Sequence, residues 1–392
     1  MLNRQEAIRE VKENILPFWQ GMADEENGGF YGEADFYGKP KKNADKGCIL
    51  NSRILWTFSA AYRILGDNAY KACARRARDY LKTAFWDEQN GGLYWLVDHT
   101  GKALDTRKQF YNIAFGIYAL SEHYQATEDK SSLELAMALF NVTEQYGLDT
   151  SAGGYIEACS REWHNIDDFR LSGKDLNSPK SMNTNLHVLE AYTNLARVSG
   201  DERVRKALEV LLHITLDKIV NHDWRFELFF DMDWHTLVKD ISYGHDIEGS
   251  WLLYEAALVV GDGSLITRVN QTALAIAEVT YAAAIDHKNG GLFSGCDAAG
   301  HIHTKKEWWP QAEAVAGFYN AYELSGEQKY FDAADSTWNF IQNHFVDRTH
   351  GEWHNELNPD NTPDTSMPKA GFWKCPYHNA RACLEIIQRM AE

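Results

Sequence analysis

Residues Tyr243 to Val260 read YGHDIEGSWLLYEAALVV, an apolar run with helical spacing that opens with His245, Asp246 and Glu248. His245 and Glu248 stand three residues apart, so a helix places them on the same face of one turn. A helix that is apolar nearly all round must be covered by other elements on most sides. The stretch therefore predicts a buried helix whose first turn carries polar groups.

This stretch belongs to an internal repeat. A Gly-rich turn recurs at Gly28, Gly91, Gly153, Gly290 and Gly351, at spacings of 63, 62, 137 and 61 residues. The long spacing is about two periods, and a degenerate copy near Trp224, HDWRFELFFDMD, lies in its middle. A fixed period of this kind indicates repeated supersecondary units, here six of them.

Two kinds of helix alternate along the repeats. A charged amphipathic stretch, such as YKACARRARDYLKTAFWD, precedes each Gly-rich turn, and an apolar stretch follows it. The apolar stretches tend to end in Gly followed by an acid, which predicts the ends of the buried helices; these glycines are Gly66, Gly200, Gly261 and Gly326.

Six buried helices inside six amphipathic ones predict an all-α (α/α)6 barrel that spans residues 1–392 as one domain, with short β hairpins at the aromatic Gly-rich turns. An open helical solenoid is the alternative. An open array requires polar capping repeats, and neither end of this sequence shows one clearly.

The composition excludes several classes of partner. The net charge of −17 disfavours nucleic acid and anionic membrane surfaces. Charged residues interrupt the apolar runs well short of the roughly 20 residues that span a bilayer. The start of the chain reads as an amphipathic helix rather than a signal peptide, and six cysteines without CxxC spacing indicate a reduced, cytoplasmic protein. We expect a monomer.

Unusual residues fall near the start of every buried helix. In a closed ring of parallel inner helices these starts meet at one mouth. They are Arg53, Tyr111, Asn112, Asn183, His187, His245, Glu248, Trp308, Trp309, Glu313 and His378. Each has a structural interpretation by itself: a histidine satisfied in the core, Asn183 as a helix cap, Arg53 paired with Glu248 or Glu313. Their coincidence at equivalent places favours a shared cleft.

The residue types in this cleft suit a sugar. Indole rings, for which Trp308, Trp309 and Trp373 are the candidates, stack on sugar C–H faces, while amides, acids and arginine bind hydroxyl groups. Histidine can accept and donate protons near neutral pH. Two imidazoles can remove the proton α to a carbonyl and return one, which gives epimerisation or aldose–ketose isomerisation, while Arg53 stabilises the enediolate.

A metal site is less favoured. His245 with Glu248 and Cys375 with His378 are half-patterns for a metal, without a partner pair nearby in sequence. The expected neighbours include an arginine, whose charge disfavours a cation. No GxGxxG, Walker or GxSxG motif occurs, so we expect neither a metal nor a cofactor.

Four segments, SYGHDIEGSWLL, KSMNTNLHVLEAY, EWWPQAEAV and FWKCPYHNARACLE, resemble the N-acylglucosamine 2-epimerase superfamily, especially its branch that acts on β-1,4-linked disaccharides. The resemblance covers essentially the whole chain. It implies an (α/α)6 barrel and the cofactor-free conversion of the reducing-end glucose of cellobiose or lactose into mannose.

The resemblance also implies roles for individual residues. His245 and His378 would be the acid/base pair, with His378 also active in ring opening, and His187 would assist by hydrogen bonding. Arg53 would hold the enediolate oxygen, and Glu248 would orient His245 or a hydroxyl group. The sugar site would be lined by Tyr111, Asn183, Trp308, Trp309, Glu313 and Trp373.

Three other functions remain open at this point. A mannose 2-epimerase or an aldose–ketose isomerase of the same superfamily would use the same residues. A glycoside hydrolase would need two carboxylates across the scissile bond, for which Glu248 and Glu313 are candidates. A non-catalytic sugar-binding module would use the tryptophans alone.

Overall fold

The computed structural model describes residues 1–390, and its helices form two concentric rings. Most outer helices contain a single π-helical turn. The turn Val11–Ile15 lies between α1 and α2, and the turns that end an outer helix are Leu81–Phe85, Thr143–Gly147, Thr215–Ile219 and Ile341–Phe345. The α-helices in chain order are α1 (Arg4–Glu10), α2 (Leu16–Gly21), α3 (Cys48–Leu65), α4 (Asn68–Tyr80), α5 (Phe110–Thr127), α6 (Lys130–Val142), α7 (Met182–Ser199), α8 (Glu202–Ile214), α9 (Tyr243–Val260), α10 (Gly263–Ala284), α11 (Trp308–Ser325), α12 (Gln328–Phe340) and α13 (Tyr377–Arg389).

The inner ring is closed. Helices α3, α5, α7, α9, α11 and α13 each pack against the next, and α13 packs against α3. Each inner helix is covered by an outer one, with α1 against α13 and α4, α6, α8, α10 and α12 against the inner helix that precedes them in sequence. The buried apolar residues form one continuous cluster. The predicted (α/α)6 barrel is confirmed, and the open solenoid is excluded.

The Gly–acid pairs end one helix and begin the next. Gly66, Gly200, Gly261 and Gly326 are the C-caps of inner helices with positive φ, a conformation that glycine adopts without steric cost. The acids that follow the first three glycines cap the next outer helix; these are Asp67, Asp201 and Asp262. Helix α5 departs from the pattern and ends at Glu128, whose φ is 60°.

Short antiparallel strands tie neighbouring repeats together at the N-terminal end of the inner helices. They pair as β1 (Lys46–Gly47) with β2 (Leu96–Val97) and β2 with β3 (Ala103–Asp105), β4 (Lys108–Gln109) with β5 (Ala158–Cys159), β6 (Lys180–Ser181) with β7 (Phe229–Phe230), β8 (Ile241–Ser242) with β9 (Gly295–Cys296), and β10 (Lys306–Glu307) with β11 (Glu356–Leu357). A bridge between Ala34 and Ala370 joins the first repeat to the last.

The predicted hairpins are present as single bridges around the Gly-rich turns. Ala23 pairs with Phe30 in the first copy, and the other regular copies have the same length. In the fourth copy Val220 pairs with Phe226, so the turn is one residue shorter, and Trp224 takes the positive φ of 59°. The last copy has the regular length, and there Glu352 takes a positive φ of 62° in place of the second glycine.

A buried lysine fixes most Gly-rich turns to the strand before an inner helix. Lys46 donates to Asp24 Oδ2 over 2.7 Å and to the Gly28 carbonyl over 2.8 Å. The same ion pair recurs as Lys108–Asp87, Lys180–Asp149, Lys306–Asp286 and Lys369–Asp347. Breaking a buried pair leaves an uncompensated charge, so these pairs hold the loops at this end of the barrel in a defined geometry.

The six cysteines are free thiols, as the sequence predicted. Within residues 1–390, no helix combines the length and the apolar character that crossing a bilayer requires.

Candidate active site

A cavity of about 450 Å³ opens among the N-terminal turns of the inner helices. Ten of the twelve residues predicted at this mouth line it: Arg53, Tyr111, Asn183, His187, His245, Glu248, Trp308, Trp309, Trp373 and His378. Asn112 lies outside the wall and donates from Nδ2 to the Tyr94 carbonyl over 3.1 Å. Glu313 is also absent from the wall. Its side chain is buried behind His378.

Two loops complete the wall above the helices. One contributes Leu171, Ser172, Lys174 and Asp175, and the other contributes Asn355, Met367, Pro368, Gly371, Phe372 and Lys374. A second, larger groove of about 520 Å³ lies beside α8 on the outer ring, with mainly apolar side chains and no histidine in its lining. The chemistry therefore lies in the inner cavity.

Two of the cavity histidines are oriented by carboxylates. His187 Nδ1 lies 2.9 Å from Glu190 Oε2, and His378 Nδ1 lies 2.7 Å from Glu313 Oε1. A carboxylate partner fixes the proton on Nδ1, which leaves Nε2 with its lone pair. Within residues 1–390, neither Nε2 has a hydrogen-bond partner in the protein. These nitrogens are therefore available to a ligand.

His245 is oriented by a hydroxyl group. Its Nδ1 lies 2.7 Å from Ser242 Oγ, which also caps α9 through the His245 backbone N–H. Glu248, which lies three residues further along the helix, makes no hydrogen bond to His245. The same i, i+3 spacing produces a contact in the His187–Glu190 pair. Of the two roles predicted for Glu248, the orientation of His245 is carried out by Ser242. Contact of Glu248 with a sugar hydroxyl group stays a prediction.

Burial keeps the histidines neutral. It lowers the pKa of His245 to about 3, with the nearby His187 acting in the same direction. It also lowers the pKa of His187, against the opposing effect of Glu190, and holds the pKa of His378 well below its usual value. Neutral imidazoles can accept a proton at neutral pH, so these three are present as bases.

A buried arginine that sequence analysis did not identify lies under the cavity. Arg381 donates from Nη1 to Glu190, and from Nη2 to Oε1 of Glu248 over 2.6 Å and of Glu313 over 2.7 Å. Tyr377 also donates to Glu190. One guanidinium thus binds three carboxylates from three inner helices. Two of these carboxylates, Glu190 and Glu313, orient cavity histidines.

Glu248 has one carboxylate oxygen free. Its Oε1 is bound by Arg381, whereas Oε2 is buried at the cavity and has no partner among the described residues. Burial, together with the nearby charge of Glu313, holds the pKa of Glu248 well above its usual value. Glu248 can therefore exchange a hydrogen bond with a sugar hydroxyl group as donor or acceptor.

Arg53 is held by aromatic rings rather than by an acid. Its Nη2 donates to Tyr111 Oη over 2.7 Å, and its guanidinium lies 4.2 Å from the centre of the Phe115 ring. Among residues 1–390 no carboxylate pairs with it, and its Nε has no partner. The alternative interpretation, in which Arg53 pairs with Glu248 or Glu313, is excluded, because Arg381 binds both acids. Arg53 therefore carries an unneutralised positive charge at the cavity.

The group Glu248, Glu313 and His378 has the composition of a metal site, with ligand atoms within 4.8 Å of one another. Arg381 donates to both carboxylates. A guanidinium already in this position repels a second cation, so the donor set fits an ion-pair network rather than a metal. Cys375 likewise lies 3.7 Å from Arg53 Nη1, which disfavours the zinc half-pattern with His378.

Tryptophans form the faces of the cavity. The Trp309 ring contacts both acid/base candidates, with centroids 4.7 Å from His245 and 5.6 Å from His378. Its Nε1 donates to Glu307 over 2.9 Å, which fixes the indole plane. Trp308 lies near His378 and Trp373 lies near Tyr111. A flat ligand with C–H faces and hydroxyl edges matches this lining.

The sequence contains signals for two site residues that the sequence analysis missed. Glu190 stands three residues after His187, and Arg381 stands three residues after His378, in the buried parts of α7 and α13. A buried arginine requires carboxylate partners, so its presence on α13 predicts acids on neighbouring helices. The loop residues near Asp175 and Pro368 carry no such signal, because their approach to the cavity depends on tertiary contacts.

Known proteins are similar in sequence to this chain over nearly its whole length. Residues 29–382 match the family model described as N-acylglucosamine 2-epimerase (GlcNAc 2-epimerase). Cellobiose 2-epimerase of Bacteroides fragilis is 45% identical over 386 residues, which cover 98% of each chain.

Solved structures agree with this match. The structure of cellobiose 2-epimerase from Bacillus thermoamylovorans B4167 is 38% identical and superimposes with a TM-score of 0.95 over 98% of this chain and 99% of that one. A D-mannose isomerase structure is 22% identical, with a TM-score of 0.88 over 98% of both chains, which shows a shared fold alone.

Proposed function

The chain belongs to the N-acylglucosamine 2-epimerase family, and we propose that it is a cellobiose 2-epimerase, an isomerase that inverts C2 of the reducing-end glucose of β-1,4-linked disaccharides such as cellobiose and lactose. The observation that carries this proposal is the placement of His245 and His378, from two different inner helices, on one tryptophan-lined cavity beside an unpaired Arg53.

The reaction follows from these groups. After ring opening, one neutral imidazole removes the proton from C2, and the electron pair of the C–H bond moves into the C1–C2 bond while the carbonyl oxygen becomes an oxyanion. Arg53 stabilises that oxyanion. The second imidazole first takes up the proton of the anomeric hydroxyl group, or one from water, and then gives it to C2 from the opposite face while the carbonyl re-forms. The first imidazole releases its proton to water. The C2 configuration is inverted without any net redox change.

The remaining residues have supporting roles in the proposal. His378 also moves the proton in ring opening, and His187 donates or accepts a hydrogen bond near the reacting carbons. Tyr111, Asn183, Glu248, Trp308, Trp309 and Trp373 bind the sugar. Glu313 acts through His378, because it touches the imidazole and not the cavity.

Two features bear on the other candidate functions. A glycoside hydrolase needs carboxylates on opposite sides of the scissile bond. Glu248 and Glu313 both turn to Arg381 Nη2, and Glu313 is absent from the cavity wall. This geometry disfavours hydrolysis. A mannose-specific epimerase or isomerase would use the same histidines, and the identity to cellobiose 2-epimerases favours the disaccharide.

We also propose that one chain acts alone and in the cytoplasm, without a cofactor. All of the predicted site residues belong to this chain, and no cofactor group takes part in the proton transfers described above. Six free thiols suit a reducing compartment.

The test is incubation with cellobiose in deuterated water, followed by NMR of the products. We expect glucosyl-mannose with deuterium at C2 of the reducing residue. Glucose release would indicate a hydrolase, and a ketose product would indicate an isomerase. Label on free mannose but not on cellobiose or lactose would indicate the monosaccharide enzyme. No label on any reducing sugar would refute the epimerase.

A further inference from the structure

A small side pocket of about 30 Å³ lies beneath the loop that carries Leu171 and Asp175. Leu171, Asp175 and Asn183 line both this side pocket and the main cavity, so the loop separates the two spaces. Glu157, on the floor of the side pocket, belongs to no part of the mechanism described above. A space of this size holds one water molecule where polar groups line it.

The Glu157 carboxyl group is buried and only half satisfied. Its Oε2 accepts a hydrogen bond from Thr184 Oγ1 over 2.7 Å, and its residue is 4% exposed. Among the described residues, Oε1 has no hydrogen-bond partner. A buried acceptor without a partner costs free energy, which the protonated form of the acid avoids by becoming a donor.

A second buried acceptor without a partner lies in the wall of the same side pocket. Asn183 Oδ1 also lacks a partner among residues 1–390, and Asn183 contributes to the wall of the main cavity. An amide whose oxygen is bound on one side presents its NH2 group to the other side. The donor that binds Asn183 Oδ1 therefore decides which end of this amide faces a ligand.

We propose that Glu157 is a positioning residue: its neutral carboxyl group donates from Oε1 to Asn183 Oδ1, directly or through one water in the side pocket, and thereby turns the Asn183 NH2 group toward the sugar and supports the loop Phe169–Leu176. The inference rests on the proposed function, in which Asn183 contacts the sugar. Gln109 Nε2, outside the side pocket, also anchors the loop by donating to the Arg170 carbonyl over 3.2 Å.

The charges around Glu157 make the arrangement sensitive to pH. Burial raises its pKa to about 7, against the opposing effects of Ser181 and Thr184, and the carboxylate of Asp175 acts in the raising direction. Arg170, the cation on the pocket wall, is paired with Asp168 over 2.8 Å. Above this pKa Glu157 loses its donor and repels Asp175, so sugar binding weakens as the pH rises.

Binding of cellobiitol, the reduced disaccharide that has no carbonyl and cannot be epimerised, tests the proposal by calorimetry with the full-length protein. We expect the Kd of the wild type to rise about tenfold between about pH 6 and about pH 8.5. E157Q keeps a donor and cannot ionise, so its Kd should stay low at both pH values. E157A should bind weakly at both. In turnover, KM should follow the same pattern while kcat changes little.

A second variant guards against a merely structural effect. T184V removes the hydrogen bond that lowers the pKa of Glu157, so the weakening should move to higher pH. E162Q, which neutralises an exposed acid in the loop after β5, should keep the wild-type profile. A wild-type pH profile in E157Q, or wild-type affinity in E157A, would overturn the proposal.

Failure of the inference and failure of the proposed function give different results. Epimerisation of cellobiose together with a pH-independent Kd in the wild type would refute the role of Glu157 and leave the function intact. Absence of both cellobiitol binding and cellobiose turnover would refute the two together.

Discussion

Arg381 Nη2 and His378 Nδ1 both lie 2.7 Å from the same atom, Glu313 Oε1. The guanidinium therefore holds the carboxylate that orients an acid/base histidine, although it does not itself reach the cavity wall. Through Glu190 the same guanidinium also supports His187. One cation on α13 thus connects the supports of two catalytic groups that lie on different helices.

Removing this cation should destabilise the protein. R381M leaves three buried carboxylates without a counter-ion, and we expect a loss of about 3–5 kcal/mol in the free energy of unfolding. Chemical denaturation followed by circular dichroism measures it. The control is R9M on α1, which removes an exposed pair with Glu6 and should cost about 1 kcal/mol or less. Equal losses in the two variants would contradict the account.

Replacing the histidine partner should lower kcat more than it changes KM. E313Q keeps the size of the side chain but removes the charge that fixes the Nδ1 proton of His378 and stabilises its imidazolium form. We expect kcat for cellobiose to fall about ten- to hundredfold. E323Q, at a half-exposed position of the same helix, should keep wild-type kcat. A mainly KM effect in E313Q would place this acid in sugar binding instead.

The pH dependence should show lowered histidine pKa values. The pKa of His245 is lowered to about 3 and that of His378 lies well below the usual value. The base form exists above the pKa, so activity is lost only when the pH falls through it. We expect kcat, measured across a series of buffers, to show no loss as the pH falls through about 6.5, the ordinary histidine value, and to decline only well below it. A decline centred at or above about pH 6.5 would contradict neutral, buried imidazoles.

Arg53 should act on the chemical step. R53K keeps a positive charge but loses the planar donors that bind Tyr111 Oη and an enediolate oxygen. We expect kcat to fall about a hundredfold or more with a smaller change in KM. The solvent exchange rate at C2, measured by NMR, should fall in parallel. Unchanged exchange with slower product formation would move Arg53 from enediolate stabilisation to ring opening or closure.

The fold could be predicted from the sequence because the repeat and the helical spacing are local signals. The Gly-rich turns, the helix-ending glycines and the apolar stretches each act within a few residues, and the closed ring follows from their number. The inter-repeat strands and the buried Lys46–Asp24 type of pair were not predicted, since each joins residues from neighbouring repeats in space.

The residues that line the cavity were predicted more fully than the partners that hold them in position. Position near the start of an inner helix identifies Tyr111 or His245, but it does not show which partner orients an imidazole. The i, i+3 spacing suggested a His245–Glu248 contact, whereas the contact forms in His187–Glu190 and Ser242 binds His245. Arg53 and Arg381 are both arginines of inner helices, so the residue type alone does not show which of them binds the buried carboxylates. Only the packing of the helices shows it.

The central claim is that two different bases act on the two faces of C2. Brief incubation of unlabelled cellobiose with the wild-type protein in deuterated water, stopped at a few per cent conversion, tests it most directly. With two bases the glucosyl-mannose product should carry deuterium at C2 from the first turnovers, while the recovered cellobiose stays almost unlabelled. Product that retains protium at C2 would show that a single base, or a direct hydrogen shift, carries the reaction and would contradict the two-histidine account.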